Sequence, residues 1–242
     1  MPMLPKAKKR LKIAAIIVFA SLLLAAGAFY IYSLDYYRAD EAAVEAMVSE
    51  ENSIVSKDKM WIFYPEQQAS DTALIFYPGG KVEAAAYAPL LKQLSQQGIT
   101  CILLQMPFNL AVFDMNAADR VFGQLPEMKH WYIGGHSLGG AMASSYAGKN
   151  GGRLEGMILL GAYPVGSTGL PTLAIYGSED MILNTAKLED IPTQHVIEGG
   201  NHAYFGNYGE QDGDGTASIT REEQQRQAVE NIMAFILDEE ER

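Results

Sequence analysis

The chain has 242 residues, 48% of them hydrophobic, and 29 acidic residues against 18 basic ones give a net charge of −11; one large domain with a sizeable core fits that length and composition. Five of the cations, Lys6, Lys8, Lys9, Arg10 and Lys12, fall in the first twelve residues, so the 13 that remain face all 29 acids, a balance that repels a phosphate backbone and excludes nucleic acid as a partner. Cys101 is the single cysteine, which rules out an intramolecular disulfide and any cysteine-based zinc site.

In chain order, residues 1–12 form a basic segment, and Ile13 to Tyr32 follow as twenty residues without a charge. As an α-helix this stretch covers about 30 Å, the thickness of a bilayer's hydrocarbon. The flanking cations should remain cytoplasmic, which places everything after Tyr32 outside the cytoplasm of a single-pass cell-membrane protein. Ala26-Gly27-Ala28 also reads as a signal-peptide cleavage site. The apolar and aromatic residues Phe29 to Tyr32 favour an uncleaved anchor. Residues 33–52, charged and alanine-rich with Val44, Met47 and Val48 at helical spacing, predict a juxtamembrane linker helix.

The body, 53–242, alternates short β-branched or aromatic runs with amphipathic stretches, the pattern of βαβ units with a largely parallel sheet flanked by helices. Expected strands are Met60 to Tyr64, Ala73 to Tyr77, Ile99 to Leu104, His130 to Ile133, Met157 to Leu160, Leu173 to Tyr176 and Gln194 to Ile197. Expected helices are Ala84 to Gln97, a stretch around Ala111 to Gln124, Ala141 to Gly148, and Arg221 to Leu237 behind a capping box of Thr220 and Glu223.

Gly135-His136-Ser137-Leu138-Gly139 fits G-x-S-x-G, a strand-to-helix turn that presents a serine hydroxyl above a sheet. A serine hydroxyl is a weak nucleophile, so it needs a base within reach and a third group to orient that base. Of the four histidines, His130 opens a strand, His136 lies in the turn and His195 lies within the last strand, which leaves His202 on a loop beyond that strand. Glu179 and Asp180, after another strand end, compete for the role of acid. A developing oxyanion needs two backbone donors. Leu138 supplies one, and the Gly79-Gly80-Lys81 loop supplies the other, with Gly80 the choice and Lys81 its rival. Pro78 has no N–H to offer.

Taken together, FYPGGKVEAAAYAPLL, LLQMPFNLAVF, YIGGHSLGGAMA, IYGSEDMI and EGGNHAYFGNYGEQDGDGTASI resemble the α/β-hydrolase fold-5 branch of the α/β-hydrolase superfamily. The resemblance implies an α/β-hydrolase fold and a triad of Ser137, Asp180 and His202. Between the strands ending near Leu160 and beginning near Leu173 only Gly161 to Leu170 intervene, too few residues for a cap domain. Asp212 and Asp214 lack the rest of a calcium loop and are expected to stabilise their own loop, so neither metal nor cofactor is expected. The leading expectation is a carboxylesterase-like serine hydrolase acting on a small acyl ester through an acyl-serine. An acyltransferase with the same triad, or a tethered binding protein on a hydrolase fold, is the alternative. Phe108, Leu110 and Phe113 are candidates for lining a modest acyl pocket or for plain core.

Overall fold

The computed structural model describes residues 5–48, 53–67 and 69–240. Its contacts divide the chain into two units, Met1–Tyr36 and Tyr37–Arg242. The first four residues of the basic segment, and 49–52 at the end of the expected linker, lie outside the described residues.

The first unit is one helix, α1, Pro5–Leu34. Its stretch Lys9–Leu34 is the one candidate span among the described residues, long and apolar enough to cross a membrane or to serve as a signal sequence. Leu24, Ile16 and Ile31 stand exposed on it.

The second unit opens with a short helix, α2, Glu41–Ala46, capped by the Asp40 carboxylate, which accepts from Ala43 N–H at 2.9 Å. The expectation of a separate linker helix over 33–52 departs from this arrangement in two ways. α1 itself continues to Leu34, and from Tyr37 onward the segment belongs to the body, with Ala43 fully buried.

Eight strands follow: β1 (Ile54–Lys57), β2 (Met60–Phe63), β3 (Thr72–Tyr77), β4 (Thr100–Leu104), β5 (His130–His136), β6 (Gly156–Leu160), β7 (Thr172–Gly177) and β8 (Thr193–Ile197). They make one sheet in the order β1-β2-β4-β3-β5-β6-β7-β8. β1–β2 and β2–β4 pair antiparallel; every later neighbour is parallel. The β1–β2 turn, Asp58-Lys59, has positive φ at both residues, as two-residue hairpins require.

Alternation along β3 sends Leu74 and Phe76 to one face and Ala73, Ile75 and Tyr77 to the other. On the first face lie α3 (Ala88–Gln96), with Leu90, Leu91 and Leu94, and the C-terminal helix of the chain, with Ala228, Ile232 and Ile236. The opposite face is covered by α4 (Asp119–Phe122) and by α5 (Leu138–Asn150), through Val121, Ala143 and Tyr146. The C-terminal helix, α6, spans Arg221–Glu240; Thr220 Oγ1 accepts from Glu223 N–H at 3.2 Å. No helix interrupts the passage from Leu160 to Thr172, so the site carries no cap.

The helix expected around Ala111 to Gln124 contracts to the single turn of α4. The buried Tyr77 hydroxyl explains why: it donates to Met115 C=O at 2.8 Å and accepts from Ala118 N–H at 3.1 Å. Backbone groups that a helix would pair internally are turned instead toward a side chain of the sheet.

Ile75 is fully buried in the central strand β3. Ile75→Ala should lower the unfolding free energy in urea by about 2–5 kcal/mol. Lys57→Ala, on the exposed end of β1, should change it by less than about 0.5 kcal/mol. Comparable losses at the two sites would contradict this placement of the core.

Candidate active site

β5 ends at His136 and α5 starts at Leu138, so Ser137 alone makes the turn, with φ +51° and ψ −124°. That backbone conformation is strained for any residue with a β-carbon. Its glycine neighbours make the turn possible. A β-carbon on Gly135 would stand 2.6 Å from Tyr77 O, and one on Gly139 would strike the carbonyls of Tyr77 and Pro78. Ser137 N–H donates to Leu160 C=O at 3.0 Å, which ties the turn to β6.

Two strand ends further along the sheet, the loop after β7 carries Asp180 and the loop after β8 carries His202. Both side chains are buried, and His202 Nδ1–H donates to Asp180 Oδ2 at 2.9 Å. Asp180 Oδ1 accepts from Ile182 N–H and Leu183 N–H, each at 2.9 Å. Three donors therefore hold one carboxylate. Gly161, at φ +51°, passes over the pair so closely that a β-carbon there would lie 2.9 Å from His202 Nδ1.

With Nδ1 committed as donor, His202 Nε2 is an acceptor. It is buried, and among the described residues it has no hydrogen-bond partner, the Ser137 hydroxyl included. Ser137 and His202 nonetheless line one cavity of about 240 Å³, together with Leu138, Ala141, Tyr163 and Leu183.

Glu179 does not share the site. It is exposed, and its carboxylate accepts from Ser178 Oγ at 3.2 Å. Of the other histidines, His130 is an exposed partner of Glu155, which raises its pKa. His136 is fully occupied. Gly79 N–H donates to Tyr87 Oη at 3.0 Å, so the tyrosine proton goes to His136 Nδ1 at 2.8 Å, and His136 Nε2–H donates to His202 C=O at 3.1 Å. Burial first, and the neighbouring His202 second, push the His136 pKa well below its ordinary value. Burial likewise raises the Tyr87 hydroxyl, so both links of the chain are neutral.

In the loop after β3 the backbone donors are not equivalent. Lys81 N–H donates to Asn109 C=O at 2.8 Å and Gly79 N–H is taken by Tyr87. Among the described residues only Gly80 N–H of this trio has no acceptor, and Gly80 abuts the Leu138 side chain. Leu138 N–H, at the first position of α5, is one of the donors a helix start leaves unpaired.

The His202 loop is held by side chains that sequence reading did not single out. Gln224, fully buried on α6, accepts from Asn201 N–H at 3.0 Å and donates to Asn201 C=O at 2.7 Å. Gln225 donates to Asn207 Oδ1 at 2.8 Å. Asp214 accepts from Ala203 N–H at 2.9 Å and Gly215 N–H at 2.8 Å, which binds the loop to itself. The legible signal was two glutamines in register with Ala228, Val229 and Ile232 on the buried stripe of α6. Among the described residues no cluster of three metal-ligating side chains occurs. The 107–113 segment does not line the cavity: Leu110 is buried, and Phe108 and Phe113 pack edge to face, 5.7 Å apart and half exposed.

The profile of the alpha/beta hydrolase family matches residues 73–226. No curated protein matches the chain. Among solved structures, Est1E from Butyrivibrio proteoclasticus is similar at 13% identity and a TM-score of 0.55, over 76% of this chain and 98% of that one. A monoacylglycerol lipase from Paleococcus ferrophilus is similar at 12% identity and 0.56, over 74% and 100%. A membrane phospholipase A described as a bacterial virulence factor is similar at 13% identity and 0.55, over 97% and 100%. At such identities these likenesses are of fold.

His136 generates a stability prediction. It stays neutral in the folded chain and protonates near its ordinary value, about 6.5, once unfolded, so stability is complete above that pH and is lost as pH falls below it. Between about pH 7.5 and 5.5, wild type should lose stability more steeply than His136→Gln, by at most about 1.4 kcal/mol per pH unit. His130 contributes in the opposite sense and cancels in the comparison. Equal slopes in urea titrations of the two proteins would contradict the neutral, buried assignment.

Proposed function

Because the chain belongs to the alpha/beta hydrolase family, we propose that it is a membrane-anchored serine hydrolase that cleaves carboxylic esters through an acyl-serine intermediate. One observation carries this reading: a buried Asp180–His202 pair whose free Nε2 borders the cavity that holds the elbow serine.

In this mechanism Ser137 Oγ attacks the ester carbonyl carbon while His202 Nε2 takes the hydroxyl proton. Asp180 remains a carboxylate, fixes the tautomer through Nδ1 and offsets the charge of the imidazolium. Leu138 N–H and Gly80 N–H donate to the oxyanion. Collapse of the tetrahedral species breaks the bond to the alkoxy group, which leaves with the proton from His202. Water, deprotonated by the same nitrogen, then attacks the acyl-serine, and the second tetrahedral species breaks the acyl–Oγ bond, releasing the carboxylic acid as His202 returns the proton to Ser137 Oγ.

The cavity supports a modest acyl group. Its walls, Leu138, Ala141, Ala162, Tyr163, Ile182 and Leu183, enclose about 240 Å³. Each methylene that is buried contributes about 0.8 kcal/mol, and a short pocket ends that gain after a few carbons. The anchor rests on α1, whose Lys9–Leu34 stretch is long and apolar enough to span a bilayer.

Ser137→Ala, His202→Ala and Asp180→Asn should each lower kcat by about 10³-fold or more, and pairs of them should cost little beyond the single changes, because the three act as one unit. Glu179→Gln should stay within about threefold of wild type. Fluorophosphonate labelling should follow the same ranking. A Glu179 variant weaker than the Asp180 variant would overturn the assignment of the acid. For the anchor, the protein should stay in the membrane pellet after a carbonate wash while protease outside intact cells reaches the body. Release into the wash or full protection from protease would contradict it.

A further inference from the structure

Gly80 lies in a loop with no ladder of its own to hold it, yet an oxyanion donor must be in place before the reaction begins. Lys81, the residue that follows Gly80, is held through both of its backbone groups. Lys81 N–H donates to Asn109 C=O at 2.8 Å, and Lys81 C=O accepts from Tyr37 N–H at 2.7 Å. Lys81 itself has φ +58°, a left-handed conformation that a residue with a β-carbon keeps only where its surroundings hold it.

Tyr37 is bound on every side. Its carbonyl accepts from Glu83 N–H at 2.9 Å, which completes a parallel bridge between Tyr37 and Val82. Its ring lies 5.5 Å from that of Tyr208, and its hydroxyl accepts from Asp212 N–H at 3.2 Å. Ala39 N–H donates to Glu83 Oε2 at 3.0 Å, and Asp40 N–H to Asn207 C=O at 2.9 Å. The same short segment thus grips the loop of Gly80 and the loop that follows His202. It lies outside residues 73–226, the part matched by the family profile, and the eight-stranded sheet is complete without it.

We propose that Tyr37 is a positioning residue for the oxyanion hole: its backbone N–H clamps the carbonyl of Lys81, the residue after Gly80, so that the segment following α1 completes the active site. The inference rests on Gly80 as oxyanion donor, the reading given above. A clamp on a transition-state donor affects kcat and leaves the binding of ground-state ester nearly unchanged. In sequence Tyr37 stands three residues beyond Leu34, so the clamp is present whether α1 is kept or removed at Ala28.

The test compares two full-length variants on a short-chain ester, with kcat, KM and thermal midpoint measured for each. Tyr37→Pro removes the N–H and keeps the carbonyl; Tyr37→Ala keeps both and removes the ring. Tyr37→Pro should lose roughly tenfold or more in kcat with KM within about threefold, while Tyr37→Ala should keep kcat within about threefold even where its midpoint drops. Wild-type kcat in Tyr37→Pro, or losses in both variants that simply track the midpoint, would overturn the proposal. Should Tyr37→Pro not fold, the α-hydroxy analogue of tyrosine placed at position 37 decides, because it replaces the N–H by an ester oxygen and keeps the ring: it should lower kcat with KM within about threefold, and an unchanged kcat refutes the clamp. A wild-type protein without esterase turnover would sink the catalytic reading instead. Amide exchange at Lys81, Val82 and Glu83, slow in wild type and fast in Tyr37→Pro, still reports whether Tyr37 holds the loop, and equal exchange overturns that.

Discussion

A carboxylate taken out of water must find donors for its oxygens or give up its charge. Asp180 finds three, two backbone N–H groups and the imidazole of His202, and the burial of both side chains makes each of those contacts stronger than it would be at the surface. The consequence is directional. An imidazole pinned at Nδ1 presents its remaining lone pair at Nε2, which is buried and has no partner among the described residues. Much of the architecture serves this contact: Gln224 and Asn201 set the backbone of the His202 loop, and Asp214 ties its far side.

Three loops from separate strands meet here, and neutral hydrogen-bonded side chains join them. The chain from Gly79 through Tyr87 and His136 to the His202 carbonyl runs from the loop after β3 to the loop after β8, past the residue that precedes Ser137. Strain gathers in the same place. Ser137, Lys81, Phe108 and Asn109 all have positive φ without being glycine, and such residues cost about 1–3 kcal/mol each. The surrounding bonds to Leu160, Asn109 and Tyr37 hold the backbone in these conformations.

What sequence reveals of such a protein depends on how local its causes are. The parallel strands were legible because burial on both faces produces short runs of apolar, β-branched residues, as in Ala73 to Tyr77, and the elbow was legible because its glycines answer a steric demand within five residues. β1 was missed: Ile54–Lys57 is half exposed, its turn uses Asp58-Lys59, and neither has the glycine that marks a hairpin. The stretch before β5 read as a helix because its propensity is helical, and only the hydroxyl of Tyr77, some forty residues away, shows why it is not. Tyr37 was least legible of all, since its contribution is a backbone N–H that any residue but proline would carry. The residues proposed for the site could be named because a hydroxyl, an imidazole and a carboxylate are side chains with few substitutes; the framework around them lies in pairings between distant segments.

The central claim is that the Asp180–His202 pair exists to make Ser137 a nucleophile. The most direct measurement is an acid quench of the protein during turnover of an activated acyl ester, followed by peptide mass mapping. The account predicts the acyl group on Ser137 in wild type and its absence from His202→Ala quenched at the same time. An acyl group on another residue, or none at all while ester is being consumed, would contradict it.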